Sequence, residues 1–261
     1  MFVSERQFSK NVRGGERSEN QIPKVIHYVW FGRGKKSPLI RRCIKSWRKV
    51  MPDYEIIEWN EDNFNINANT YCRQAYEKKK YAFAADYARL WILYNYGGIY
   101  MDTDTASFKP LDRFLYHSSF ACFESNRVIA LGTVGAVKGD PMIKYLLEYY
   151  DDREFLDPTQ PGGIDWTPNT SALTERLLPK GLVLNNQYQE VAGLAIYPSI
   201  FFCEDGEGPD KYATHYFTAT WLPEQIQRKN ARHRAIARVK KRIRRILGNE
   251  IYEKLKSALR K

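Results

Sequence analysis

Apolar residues in the first part of the chain form runs that are typical of buried strands and of helices in turn. Residues 25–29 predict a buried strand. Ser37 and Pro38 predict the start of a helix, because serine caps helix N-termini and proline suits the first turn. Residues 54–59 alternate and predict a second strand. This order of elements is typical of a layered α/β fold.

A longer helical pattern occupies the middle of the chain. Residues 71–96 are rich in alanine and large apolar residues and predict one long helix, which ends at the glycine pair 97–98. Residues 99–101 then predict a short strand that leads into a turn containing Asp102 and Asp104. Open α/β sheets bind ligands beyond the carboxyl ends of their strands, so these aspartates are candidate site residues.

The remaining body of the chain repeats the alternation of strands and helices. The pattern predicts strands over 120–123 and 130–137, a helix over 140–150 and a long loop over 157–170 that is rich in Pro, Gly and Thr. Long loops in compact domains are commonly functional. The four cysteines lack a CxxC pair and are expected to be reduced and partly buried: Cys43, Cys72, Cys122 and Cys203.

Charge divides the chain into two parts. The formal net charge of the 261 residues is +11, yet residues 225–261 alone carry 14 Lys and Arg against 2 acids. The body is therefore near neutral, which does not favour nucleic-acid binding. The tail has apolar residues at helical spacing and one aromatic, so it predicts basic amphipathic helices that bind an anionic membrane surface. The alternative is a solvated helix that packs on the body.

These observations predict the domain organisation. We expect residues 1–21 to be a disordered lead-in, residues 22–222 to form one α/β domain and residues 223–261 to form the basic tail. No segment has the apolar length of a transmembrane helix or the apolar core of a secretory signal. The expected location is cytoplasmic, peripheral on the inner face of the cell membrane.

The Asp-x-Asp turn has a simple chemical interpretation. Asp102 and Asp104 can present carboxylates to one hard divalent cation, Mg²⁺ or Mn²⁺, which can also bind substrate phosphates. The pair alone is a weak signal. Asp86 and Arg89 lie three residues apart, on one face of the predicted helix. They are either a solvated ion pair or ligands of a nucleotide sugar, in which the carboxylate accepts hydroxyl hydrogen bonds and the guanidinium binds a diphosphate or the sugar.

The segment 83–104, Phe-Ala-Ala-Asp-Tyr-Ala-Arg-Leu-Trp-Ile-Leu-Tyr-Asn-Tyr-Gly-Gly-Ile-Tyr-Met-Asp-Thr-Asp, closely resembles the DXD sugar-binding segment of glycosyltransferase family 32. That family contains bacterial capsular polysaccharide transferases and yeast α-mannosyltransferases, and it is related to the glucosylating clostridial toxins. The resemblance covers roughly residues 22–222. It implies a GT-A fold, a nucleotide-sugar donor, Mn²⁺ or Mg²⁺ as cofactor, and retention at the anomeric carbon.

The resemblance also implies roles for individual residues. Asp102 and Asp104 would engage the metal and the diphosphate, Asp86 and Arg89 the ribose and the sugar of the donor, and Tyr100 would pack beside the nucleotide. Arg89 and the metal would stabilise the charge that develops on the leaving diphosphate. A retaining transferase uses either a double displacement or a same-face substitution, and no residue is a clear nucleophile.

Two flanking motifs extend the resemblance. Residues 22–32 look like the opening strand of the family, whose Trp30 would stack on the base, although an ordinary core aromatic is the alternative. Residues 214–221 resemble the closing motif, but Tyr, Phe and Thr replace a His, a Trp and a Ser of the usual pattern. The resemblance implies His215 and Thr220 as metal or phosphate partners and Trp221 as a phosphate contact. A hydrogen-bonded core histidine is the alternative for His215.

Two polar residues outside the motifs are further candidates. Asn169 falls where the family has a loop beside the sugar, which makes it a candidate donor or acceptor contact, and an ordinary Pro-Asn turn is the alternative. Glu124 follows a predicted strand and is placed either at the cleft near the acceptor or as an exposed strand-end carboxylate.

Two other classes of function compete with a transferase. A strand followed by Asp-x-Asp-x-Thr also fits a haloacid-dehalogenase-type phosphatase with Asp102 as nucleophile, although that motif usually lies near the N-terminus. A non-catalytic protein whose tail binds membrane or nucleic acid is the third possibility. We expect a retaining glycosyltransferase that acts in bacterial surface polysaccharide synthesis. A UDP-sugar donor is favoured and GDP-mannose stays open, with an oligosaccharide or lipid-linked glycan as acceptor.

Overall fold

The computed structural model of the protein describes residues 21–204, 208–218 and 243. The predictions for residues 1–20, for Thr220 and Trp221 and for all but residue 243 of the tail therefore lie outside the described residues. The strands are β1 Val25–Val29, β2 Glu55–Trp59, β3 Gly98–Met101, β4 Thr105–Ser107, β5 Ser119–Phe123, β6 Ile129–Ala136, β7 Gln189–Val191, β8 Leu194–Tyr197 and β9 Ala213–His215. The α-helices are α1 Pro38–Val50, α2 Thr70–Glu77, α3 Tyr81–Tyr96, α4 Pro141–Leu147 and α5 Asn169–Leu177.

Seven of these strands form one mixed sheet in the order β2-β1-β3-β6-β5-β8-β7. Strand β1 is parallel to β2 and β3, and β5 is parallel to β8. Strand β6 is antiparallel to β3 and β5, and β7 is antiparallel to β8, so five strands point one way. A second sheet pairs β4 with β9. The predicted α/β class, with the Rossmann-like parallel half that a GT-A fold implies, is confirmed.

Two signals in the sequence mark the start of α1 and the end of α3. The Ser37 side chain accepts a hydrogen bond from the backbone of Ile40 at 3.3 Å, as its predicted role as cap requires. Helix α3 ends at Gly97 and Gly98, whose φ values are +68° and +97°. A side chain at Gly98 would come within 2.8 Å of the Val25 carbonyl oxygen. The glycine pair therefore stops the helix and lets β3 lie directly against β1.

The prediction of one helix over residues 71–96 is wrong. The segment forms two helices, α2 and α3, separated by the lysines 78–80. Lys79 adopts the left-handed conformation at φ 57°, and the Lys80 amide donates to the Ala75 carbonyl, which closes α2. Three consecutive charged side chains offer no apolar face to bury, so the helix is interrupted there. Helix α3 is therefore a separate helix, and it leads into β3.

The core is mainly apolar. Leu90, Ile92 and Leu93 of α3 are fully buried, and the four cysteines are buried and free, as predicted. Within the residues that the structure describes, no helix combines the length and the apolar character needed to cross a membrane.

Candidate active site

The Asp-x-Asp turn follows β3 directly, as predicted. The Asp102 amide donates to the Gly132 carbonyl at 2.8 Å, which continues the pairing of β3 with β6 by one residue. The Thr105 amide donates to the Asp102 carbonyl at 2.9 Å and closes a tight turn before β4. Backbone hydrogen bonds on both sides thus fix Asp102 at the carboxyl edge of the sheet, where open α/β folds bind their ligands.

Arg89 joins helix α3 to this turn. Its Nη2 atom lies 2.8 Å from Oδ1 of Asp86 and 3.2 Å from Oδ1 of Asp102, and its Nη1 donates to the Leu131 carbonyl at 2.9 Å. The guanidinium also lies 4.8 Å from the centre of the Tyr100 ring. Arg89 is 7% exposed, so the Asp86–Arg89 pair is buried and the alternative of a solvated helix pair is wrong.

Burial and charge act together on this cluster. Burial raises the pKa of Asp86 to about 7, while the charge of Arg89 opposes the change. Burial also disfavours the charged form of Arg89, but Asp102, Tyr100 and Asp86 outweigh it and raise the pKa of the guanidinium above its usual value. A buried cation that faces two carboxylates holds them in place, and removing it leaves uncompensated charge.

Asn169 contacts the same cluster from another part of the chain. Its Nδ2 atom donates to Oδ1 of Asp86 at 2.8 Å, and the residue is 9% exposed. The placement of Asn169 in a loop is wrong, because Asn169 is the first residue of α5 and Pro168 caps that helix. The structure therefore brings together Asp86, Arg89, Asp102 and Asn169.

His215 reaches the turn through the small second sheet. Strand β9 pairs with β4 so that His215 lies opposite Thr105. Its Nε2 atom lies 3.0 Å from Oδ1 of Asp104 and 3.8 Å from Oδ2 of Asp102. Burial lowers the pKa of the imidazole, but the charge of Asp104 and its hydrogen bond outweigh burial, so the pKa of His215 is raised well above its usual value. The histidine of the closing motif is thus part of the cluster.

Gly132 is a site residue that the sequence analysis missed. A Cβ atom there would lie 2.8 Å from Oδ2 of Asp102 and 3.0 Å from Nδ1 of His215. Only a residue without a side chain leaves room for both groups. The signal in the sequence is a glycine inside a strand, which often marks a close approach of other groups.

The carboxylates suit the cation that the family resemblance implies. One oxygen of Asp102 and one of Asp104 lie 3.8 Å and 3.0 Å from Nε2 of His215, so both carboxylates lie beside the same imidazole. Mg²⁺ and Mn²⁺ prefer such oxygen donors and commonly use one or two carboxylates together with substrate phosphates and water. Within residues 21–204 and 208–218 no three His, Cys, Asp or Glu side chains are grouped to hold a metal ion.

Other predicted donor contacts stay predictions. Trp30 follows β1, at the edge of the sheet where the Asp-x-Asp turn lies, and its Nε1 donates to the Gly34 carbonyl at 2.7 Å. Lys36 Nζ lies 5.1 Å from the centre of its ring. Tyr100 is 2% exposed and packs against Arg89. Thr220 and Trp221 lie outside the described residues.

A family of known proteins matches the part of the chain that contains Asp86, Arg89, Asp102 and Asp104. Residues 37–121, which include the Asp-x-Asp turn, match the family described as "Glycosyltransferase sugar-binding region containing DXD motif". The resemblance to the DXD-containing transferases of glycosyltransferase family 32 is confirmed.

Two fungal relatives extend the comparison. Inositol phosphoceramide mannosyltransferase 3 of Schizosaccharomyces pombe is 30% identical over 129 residues, which are 47% of this chain and 35% of the relative. Mannosyl phosphorylinositol ceramide synthase SUR1 of Saccharomyces cerevisiae is 30% identical over 146 residues, which are 52% of this chain and 37% of the relative. The chain thus spans little more than a third of these relatives.

Among solved structures, the PaToxG glycosyltransferase matches with 22% identity and a TM-score of 0.43, over 49% of this chain and 59% of that one.

Proposed function

We propose that the protein is a retaining glycosyltransferase that moves a hexose from a nucleotide-diphosphate donor to a hydroxyl group of a saccharide or lipid-linked glycan. The observation that carries the proposal is the position of Arg89 between Asp86 and Asp102, at the carboxyl end of β3. The buried guanidinium of Arg89 and the Asp-x-Asp turn lie at the carboxyl end of a central strand. Such a site can bind a diphosphate and a sugar side by side.

Each residue of the cluster has a proposed task. Asp102 and Asp104 would hold Mn²⁺ or Mg²⁺, which when bound neutralises charge on the leaving diphosphate. Arg89 holds Asp86 and Asp102 in place and adds positive charge beside the diphosphate. Asp86 and Asn169 share a hydrogen bond at 2.8 Å and would bind hydroxyl groups of the donor. His215 orients Asp104 through its 3.0 Å contact.

The donor and the acceptor are proposed by class. The relatives are named as an inositol phosphoceramide mannosyltransferase and a mannosyl phosphorylinositol ceramide synthase, which supports mannose as one candidate sugar and a lipid-bearing acceptor. GDP-mannose and the UDP-hexoses are therefore both proposed as candidate donors. A role in bacterial surface polysaccharide synthesis is part of the same proposal.

A thermal-shift screen tests the proposal. UDP-glucose, UDP-galactose and GDP-mannose are each added with and without MnCl₂, because a ligand that binds only the folded state raises the melting temperature. We expect one donor to raise the melting temperature in the presence of Mn²⁺ and to be turned over. Hydrolysis of p-nitrophenyl phosphate without turnover of any nucleotide sugar would favour the phosphatase alternative instead.

We also propose that residues 225–261 attach the protein to the cytoplasmic face of the cell membrane. The 14 basic residues and the apolar residues at helical spacing support this part of the proposal. Co-sedimentation with phosphatidylglycerol vesicles tests it. The full chain should sediment and a chain that ends at residue 224 should stay in solution, whereas equal sedimentation of the two would contradict the anchor.

A further inference from the structure

Glu124 lies at the same edge of the sheet as the Asp-x-Asp turn. Strands β3 and β5 are both antiparallel to β6, so they run in the same direction on its two sides. Asp102 follows the last residue of β3, and Glu124 follows the last residue of β5. The Glu124 amide donates to the Val128 carbonyl at 2.9 Å, which fixes the backbone at the start of a hairpin turn. Both residues therefore follow strand ends on the same side of the sheet, with β6 between the two strands.

The side chain of Glu124 lies on the face of the sheet where His215 lies. Residues two apart in a strand share a face, so Glu124 follows Cys122 on the same side. The Cys122 sulfur is 3.5 Å from the sulfur of Cys203, and the Cys203 thiol in turn contacts the imidazole of His215. The register of β5 against β6 also shifts just before this point, between Phe120 and Cys122. Such irregularities often aim side chains at neighbouring sites.

The carboxylate of Glu124 is half-buried. In residues 21–204 and 208–218 it makes no hydrogen bond and no ion pair, and the groups that act on its charge are His215 and Asp102. Burial raises the pKa of Glu124, with His215 opposing and Asp102 adding to the effect. A carboxylate that is partly removed from water without a hydrogen-bond donor is unfavourable in the free protein, so a ligand group is expected to supply that donor.

The charge of this position decides which ligand group fits. The diphosphate of the donor is anionic and would be repelled by Glu124, which adds negative charge to that of Asp102 and Asp104. A neutral hydroxyl group donates well to a carboxylate. We propose that Glu124 binds a sugar or polyol hydroxyl of the acceptor and orients it toward the donor held at Asp102 and Asp104. This inference rests on the proposed function and adds the acceptor subsite to it.

Replacement of Glu124 by Gln tests the subsite, since the amide keeps the size of the side chain and removes the charge. The probe acceptor is methyl α-D-mannopyranoside, and the donor is the nucleotide sugar that the thermal-shift screen selects. We expect the acceptor KM of E124Q to rise about tenfold or more, because a hydroxyl donates more strongly to a carboxylate than to an amide. The donor KM and the slow hydrolysis of donor in water should stay within twofold of the unchanged protein.

Glu55→Gln is the matched control, because Glu55 is an exposed residue at the start of β2. It should leave all of these constants unchanged. An unchanged acceptor KM in E124Q, or an equal loss of donor hydrolysis, would overturn the inference. Saturation-transfer NMR measures binding of the same mannoside without turnover. It therefore tests the acceptor subsite separately from the proposed transferase activity. If no nucleotide sugar is turned over but E124Q alone loses mannoside binding, the proposed function fails and the subsite stands.

Discussion

Nη2 of Arg89 lies 3.2 Å from Oδ1 of Asp102, which ties the middle of α3 to the turn after β3. The same nitrogen lies 2.8 Å from Asp86, so one guanidinium compensates two carboxylates in a largely buried position. The orientation of the Asp-x-Asp turn therefore depends on a side chain that is itself almost inaccessible to solvent. Replacement of Arg89 should therefore change both the free energy of unfolding and the catalytic activity.

Arg89→Met should lower the free energy of unfolding by about 3 kcal/mol, because it leaves two carboxylates without their buried partner. Urea denaturation at pH 7 measures the effect. Arg73→Met is the control, since Arg73 pairs with Glu77 on an exposed helix surface and should contribute less than about 1 kcal/mol. Equal losses in the two variants would show that the Arg89 cluster does not stabilise the fold.

Asn169→Asp should reduce donor kcat/KM more than Asn169→Ala does, by about tenfold. The new carboxylate would face Asp86 across the present 2.8 Å contact, and two like charges at that distance oppose each other. Steady-state kinetics with the selected donor measures the difference. Asn67→Asp makes the same chemical change at an exposed position and should have no effect. If the Asp and Ala variants of Asn169 behave alike, the contact with Asp86 has no electrostatic role.

Gly132→Ala should impair the site by steric displacement alone. The added methyl group would lie 2.8 Å from Asp102 and 3.0 Å from His215, so one of the two groups must move. We expect donor turnover to fall at least tenfold and the free energy of unfolding to fall by about 1–3 kcal/mol. Gly34→Ala is the control, because nothing lies within 4 Å of a Cβ atom there. Wild-type turnover in the Gly132 variant would show that the turn tolerates the displacement.

His27 should make the protein less stable in acid. The side chain is fully buried, with Nε2 2.9 Å from the Gly97 carbonyl and Nδ1 accepting from the Trp59 indole at 3.0 Å. Burial lowers the pKa of His27 to about 4, so between pH 6.5 and 4 the unfolded chain binds a proton that the folded protein does not. Stability then falls as the pH falls, by about 3 kcal/mol over that window.

Replacement of His27 by Gln removes the titrating group and keeps a donor for the Gly97 carbonyl. The difference in unfolding free energy between the unchanged protein and this variant should shrink by about 3 kcal/mol from pH 7 to pH 4. Chemical denaturation at both pH values gives that difference. A difference that does not change with pH would mean that the imidazole titrates alike in the folded and unfolded states.

Local signals in the sequence predicted much of the fold. The cap at Ser37, the glycine pair after α3 and the alternating apolar runs correspond to elements in the structure. The break at Lys78–Lys80 was missed, because the flanking segments both have helical spacing. The start of α5 at Asn169 was missed because its capping residue, Pro168, makes no side-chain hydrogen bond and resembles a turn.

The site was predictable only in part. Asp86, Arg89, Asp102 and Asp104 lie in one segment with a distinctive pattern, and the structure brings them together. The contacts of Asn169 with Asp86 and of Gly132 with Asp102 depend on packing between residues far apart in the chain. The sequence alone cannot give such contacts. For Glu124 it left two alternatives open, a cleft position near the acceptor and an exposed strand-end carboxylate, and the half-buried side chain contradicts the exposed one.

The central claim is that Asp102 holds an activated sugar at the end of β3. Its most direct test is turnover of the selected nucleotide sugar by Asp102→Asn, with Asp53→Asn as an exposed control. We predict a loss of at least about 100-fold for Asp102→Asn in a protein that still unfolds cooperatively on heating, and activity within twofold of the unchanged protein for Asp53→Asn. Undiminished turnover by a folded Asp102→Asn protein would contradict the account.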